Sequence, residues 1–186
     1  MNTQPAHTII LSPIEVLDTA LLDQIIGELM RVYGYPVEIM PLLDNLDFAF
    51  DRHRRQYHST LILEALDRKA PSNALKILGI TRQDLFIPIL THVYGEAQLG
   101  GRASIISVHR LKEGIGSGSH DKEYHARVVK EAVHELGHTF NLRHCKDPGC
   151  IMHYCHSVAD VDRKSNNLCR YCSTLLKDEL ERLMSG

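Results

Sequence analysis

Two histidines four residues apart on a helical pattern constrain this chain more than any other feature. Residues 121–140 place Tyr124, Val128, Ala132, Leu136 and Phe140 at every fourth position, which is a single apolar stripe of an α-helix. His134 and His138 lie two residues off that stripe, and at about 100° per residue they fall roughly 200° around the axis. One face of the predicted helix therefore packs on a sheet, and the other presents two imidazoles and Glu135 to a cleft. Asp121 suits the cap at its start.

His-Glu-x-x-His at this spacing is a zinc motif in which two imidazoles hold the metal and the glutamate reaches its water. His144 makes the reading sharper. Six residues past His138, it would lie about 9 Å further along a continuing helix at about 1.5 Å per residue. A zinc–nitrogen bond spans only about 2.0–2.1 Å, so the chain must leave the helix and turn back. Asn141 is the predicted reversal, because Asn tolerates the left-handed conformation that ends helices.

Lys and Arg total 21 against 23 for Asp and Glu, a formal charge of -2. No basic excess points to a nucleic-acid surface. The amino terminus has no basic region, and its apolar run is broken by Ser12 and Pro13, so neither an export signal nor a membrane span is expected. A cytoplasmic protein follows, and five cysteines gathered between Cys145 and Cys172 then point to metal ligation before disulfides.

The rest of the chain alternates strands and helices. Strands are expected at residues 7–11, 37–40, 74–80, 86–90 and 102–111, with helices from Leu17 to Gly34 and over residues 59–66. That order implies an α/β fold with a mixed sheet and helical crossovers. Residues 94–99 read as an edge strand that either takes up an extended peptide or is merely protected by a loop, residues 114–118 as a loop and residues 160–162 as a solvated turn. A final helix is expected over residues 173–184.

The run HELGHTFNLRHC resembles the elongated zinc-binding sequence of the metzincin clan, whose usual residue at the turn is Gly. Cys145, Cys150, Met152, Cys169 and Cys172 form C-x4-C-x-M followed by C-x2-C, which is similar to the archaemetzincins. The gap between Met152 and Cys169 is about one residue shorter than the family pattern, a difference a loop absorbs. The resemblance implies a twisted mixed sheet, a long active-site helix, a methionine turn under the histidines and a small zinc-stabilised C-terminal part. It implies two zincs: a catalytic one on His134, His138 and His144, and a structural one on Cys145, Cys150, Cys169 and Cys172. It also implies a zinc peptidase acting on peptides in a cleft, with Glu135 as general base. Tyr154 is similar to a tyrosine that approaches the metal in some metzincins, and Cys155 matches no part of the pattern.

One domain over residues 1–186 is expected, with residues 1–144 holding the sheet and active-site helix and 145–186 the methionine turn, cysteine site and final helix. No nucleic-acid or membrane partner is expected, and the sequence leaves the oligomeric state open, with a monomer favoured. The alternative is a zinc-stabilised peptide-binding module without turnover, against which the intact Glu135 weighs. A thiol redox protein using Cys169 and Cys172 is weaker, because those residues have partners in Cys145 and Cys150.

Overall fold

A computed structural model describes residues 7–115 and 121–185. The first strand, β1 (Thr8–Pro13), is buried along its whole length, as expected of an apolar run covered on both faces. Helix α1 (Thr19–Tyr33) follows, capped by the Asp18 side chain and closed by Gly34 at φ 76°. The chain continues through β2 (Val37–Ile39), β3 (Phe50–Asp51), β4 (Gln56–His58) and α2 (Ser59–Arg68), then β5 (Ala74–Thr81), β6 (Leu85–Phe86), β7 (Gly95–Ala97) and β8 (Ala103–Ser107). The last three helices are α3 (Asp121–Thr139), α4 (Val158–Arg163) and α5 (Arg170–Ser185).

Five strands form a mixed sheet in the order β2-β1-β5-β8-β7, in which only β7 runs antiparallel to its neighbour. Strand periodicity divides its side chains between two cores. Ile9, Leu11, Leu78, Ile80 and Ile106 face α1 and α3, whereas Ile10, Ile77, Ala103 and Ile105 face α2. Cys150, Ile151, Met152, Cys172 and Leu176 join the first core, so the C-terminal elements pack on the same apolar mass as α3. This is the α/β architecture with a mixed sheet and long helix that the sequence implies. Among the described residues, no helix is long and apolar enough to cross a membrane.

Several expectations need correction. The strand expected at residues 86–90 is only the two-residue β6, paired with β4 in a second sheet of three short strands that the sequence did not reveal. Pro88 lies in the turn that follows, and proline supplies no backbone donor for a ladder. The strand expected over residues 102–111 stops at Ser107, with a short 3-10 turn at Arg110–Lys112. Residues 160–162 are not a solvated turn. They belong to α4, whose Ser157 and Asp160 form a reciprocal capping box, and Asp162 binds Arg127 of α3 through two contacts of 2.7 Å. Asp121, expected as the cap of α3, is its first described helical residue, and residues 116–118 of the expected loop lie outside the described residues. Helix α5 starts three residues before the predicted one.

Candidate metal centres and active site

Helix α3 is buried nearly all round in its second half, with His134, Glu135 and Gly137 as well as the apolar stripe out of solvent. Gly137 is dictated by space: an added Cβ would lie 2.6 Å from the Met152 sulfur. The methionine therefore sits directly against the helix between the two histidines. Its own turn is closed by the His153 N–H donating to the Cys150 carbonyl at 2.9 Å.

The helix ends where the sequence said it must. Asn141 has φ 62°, its N–H donates to the His138 carbonyl at 3.0 Å, and the Leu142 N–H donates to the Gly137 carbonyl at 3.1 Å. Those two bonds are the Schellman closure of a helix around a left-handed residue. The reversal brings His144 back, so that one ring nitrogen from each of His134, His138 and His144 lies within 4.8 Å of the others.

The donor chemistry of that cluster fits a metal ion. His134 Nδ1 donates to the Ile151 carbonyl at 2.9 Å, and His138 Nδ1 donates to the Leu142 carbonyl at 2.7 Å. Because a carbonyl only accepts, both protons sit on Nδ1 and both Nε2 atoms present lone pairs. Those two Nε2 atoms are 3.2 Å apart, close to the separation of about 3.3 Å that two nitrogens on one tetrahedral zinc require. Burial pushes all three imidazoles below the ordinary histidine value, His138 to about 4, with the Lys164 ammonium adding to it. The rings are therefore neutral at pH 7, the form that binds metal.

A second cluster stands beside the first. The Sγ atoms of Cys145, Cys150, Cys169 and Cys172 lie within 4.8 Å of one another, and all four thiols are free of disulfides. Cys145 and Cys169 Sγ are 3.7 Å apart, against about 3.8 Å for two thiolates on one tetrahedral zinc. Backbone N–H groups of Cys169 and Cys172 point at the sulfurs of Cys150 and Cys169. The Cys172 N–H holds the Cys169 thiol down, whereas burial and the neighbouring thiols push Cys172 up. Cys155 stands outside this group, and burial raises its thiol.

A cleft of about 610 Å³ runs over the histidine cluster between α3 and β7, the edge of the sheet. Glu135 lines it against Gly95, where an added Cβ would meet the Glu135 side chain at 2.5 Å. Burial and the nearby Glu131 push the Glu135 carboxyl well up, with Lys164 opposing. Tyr154 also lines the cleft, its ring 4.8 Å from that of His144.

Three supports of this site carry no sequence signal, because each joins residues distant in the chain. Lys164 and Glu131 form a buried ion pair of 2.8 Å at the cleft floor. The Glu96 carboxylate of β7 accepts from Ser59 and Thr60 at the start of α2. Lys76, 4% exposed, donates to the Gly101 carbonyl at 2.8 Å and to the Thr139 carbonyl at 2.6 Å. With the Gly100 N–H donating to the His138 carbonyl at 2.9 Å, it fastens the β7–β8 turn to the end of α3.

Comparison with known proteins decides the family. The model for "Peptidase family M54" matches residues 43–178. The chain belongs to this family. It is 42% identical over 137 residues to the archaemetzincin of Methanopyrus kandleri, covering 73% of this chain and 74% of that one. To the archaemetzincin of Archaeoglobus fulgidus it is 35% identical over 170 residues, covering 91% and 98%. Among solved structures, the crystal structure of the Methanopyrus kandleri archaemetzincin superposes with a TM-score of 0.85 at 33% identity, over 96% of this chain and 97% of that one. A zinc-dependent peptidase from Methanocorpusculum labreanum gives 0.81 at 30% identity, over 90% and 99%. The family assigns the chain as a zinc metallopeptidase with the archaemetzincin fold.

The Lys76 fastening makes stability depend on pH. Burial pushes its ammonium down to about 8, with Glu179 opposing and Arg182 of α5 reinforcing. An unfolded lysine titrates near about 10.4, so between those values the unfolded chain binds more protons and stability rises with pH. Wild-type stability should gain on Lys76→Met by on the order of 1–2 kcal/mol between pH 8 and 10 in urea unfolding. Parallel pH curves would contradict the assignment.

Proposed function

We propose that this peptidase hydrolyses peptide bonds with a zinc held by His134, His138 and His144, and that Cys145, Cys150, Cys169 and Cys172 hold a second, structural zinc. The observation that carries the reading is the pair of bare Nε2 lone pairs 3.2 Å apart on rings fixed by carbonyl acceptors. Two acceptors at that distance repel unless a cation lies between them, and three protein ligands leave a fourth position open, as catalytic zinc requires. Four thiols leave none, which is the arrangement of a structural site.

Zinc bound there supplies an acidified water and a polarised scissile carbonyl. Glu135 takes the proton of the attacking water and passes it to the leaving amine. Its burial raises the cost of the carboxylate, and a dication in the histidine cluster offsets that cost by favouring the anion. The His134 and His138 rings cannot rotate without breaking their Nδ1 hydrogen bonds, so the carbonyls of Ile151 and Leu142 fix their direction. The peptide itself fits an extended pose along β7, whose second edge is unpaired among the described residues. An inert peptide-binding module would need no buried carboxylate beside the histidines.

Glu135→Gln removes a proton acceptor and no proposed ligand, so it should keep two zincs and the wild-type fold while losing turnover. Mass spectrometry of a peptide mixture incubated with each protein reads this. Equal cleavage by both would remove Glu135 from the role of base.

The two sites share a peptide bond. The Cys145 N–H donates to the Met152 carbonyl at 2.9 Å, and the His153 ring donates to the Cys145 carbonyl at 2.9 Å, so Cys145 is clamped to the turn beneath the histidines. With consecutive Cα atoms about 3.8 Å apart, the direction of His144 depends on that of Cys145. Loss of an outer support lowers metal affinity by about 10- to 100-fold. Cys145→Ser protein that remains folded by circular dichroism should release its histidine-held zinc to a competing chelator more easily by that measure. Unchanged affinity after loss of the second zinc would refute the coupling.

A further inference from the structure

Arg143 is an exposed cation lining the cleft, and among the described residues no carboxylate pairs with it. The other charges there are committed within the protein. Glu131 binds Lys164, Glu96 is held by Ser59 and Thr60, and Glu135 is the proposed base. Arg143 is also rigidly rooted. The Leu142 N–H before it is bonded to Gly137, the Leu142 carbonyl accepts from His138, and the Cys145 N–H two residues on is bonded to Met152. A guanidinium so placed recognises carboxylates, with which its planar donors match.

The geometry also orients the peptide, given the proposed role of Glu135. Strand β7 has Gly95 packed against Glu135, whereas the turn after it bonds to the other end of the histidine helix, Gly100 N–H to the His138 carbonyl at 2.9 Å. Gly100 also faces Asn141, with the Asn141 side chain 3.7 Å from an added Cβ, and Arg143 follows two residues later. Glu135 hands its proton to the leaving amine, so the amine half of the scissile bond faces the Gly95 end. The acyl half faces the Leu99 and Arg143 end. A peptide's terminal carboxylate lies on the amine half, so the carboxylate that reaches Arg143 belongs to a side chain.

We propose that Arg143 sets substrate selectivity by binding an Asp or Glu side chain on the N-terminal side of the bond that is cut. The inference rests on the peptidase reading, and its test has one arm that does not need turnover. In the first arm, a pool of blocked peptides randomised around a central segment is digested by wild type and by Arg143→Glu, and the cut sites are mapped by mass spectrometry. Acidic residues should exceed lysine before the cut by about three- to tenfold in wild type, as expected for an ion pair in a wet cleft plus avoidance of like charge. Arg143→Glu should reverse the order. The wild-type preference should also shrink as salt is raised, because exposed pairs are screened.

In the second arm, zinc-loaded Glu135→Gln protein, with and without Arg143→Glu, is titrated by fluorescence anisotropy with two blocked peptides differing only in Glu or Lys before the central bond. The Glu peptide should bind more tightly with Arg143 present and less tightly with Arg143→Glu. Absence of cleavage by wild type would count against the peptidase reading alone, since the binding arm still decides for or against Arg143. An acidic preference located after the cut, or a preference that charge reversal leaves unchanged in both arms, would overturn the proposal.

Discussion

The site depends on one backbone reversal. A helix that continued past Thr139 would carry His144 away from His134 and His138 by about 1.5 Å per residue. Asn141 instead takes φ 62°, and the helix closes on itself through Asn141 to His138 and Leu142 to Gly137. Non-glycine residues adopt this conformation at a steric cost that Asn bears more easily than most. The consequences are all local. His144 returns to the cluster, Arg143 lines the cleft, and Cys145 joins the other three thiols. The same helix end receives the β7–β8 turn through Gly100 and Lys76, which fixes the edge strand β7 relative to the histidines.

The surrounding polar groups exact a cost in stability that the two apolar cores must cover. Buried charges are tolerated only when paired and hydrogen-bonded, and the ion pair of Lys164 with Glu131 meets that condition beneath the cleft. Arg127 meets it by bonding Asp162 and the carbonyls of Leu111 and Glu113. Through these two pairs α4 and the segment after it are held against α3. Among the described residues, α3 carries more buried polar side chains than any other element, and it is also where the histidines, Glu135 and the cleft meet, as expected of a functional site.

The features legible in the sequence were those written in local spacing. The stripe through Val128, Ala132, Leu136 and Phe140 is fully buried, the turn falls at Asn141, and both metal-type clusters form from the residues the motifs named. Helix α1 ends at the Gly34 signal. What escaped depends on tertiary contact. Lys76, Lys164 and Glu96 carry no motif, and their partners lie 25 or more residues away in sequence. Residues 160–162 looked like a solvated turn because two acidic residues flank a single valine, yet one acid caps a helix and the other neutralises a buried arginine. The second sheet was invisible because its strands are two or three residues long, too short for an alternating pattern to register.

The central claim is that the two clusters hold zinc in two different coordination environments. Zinc quantification combined with X-ray absorption at the zinc edge, on protein purified without chelator, tests it most directly. Two zincs per chain are expected, with sulfur neighbours near about 2.3 Å and nitrogen or oxygen neighbours near about 2.0–2.1 Å, averaging roughly two sulfurs per zinc. His134→Ala together with His138→Ala should leave one zinc with an all-sulfur shell. A single zinc in the wild type, or sulfur and nitrogen ligands that disappear together in that double variant, would contradict it.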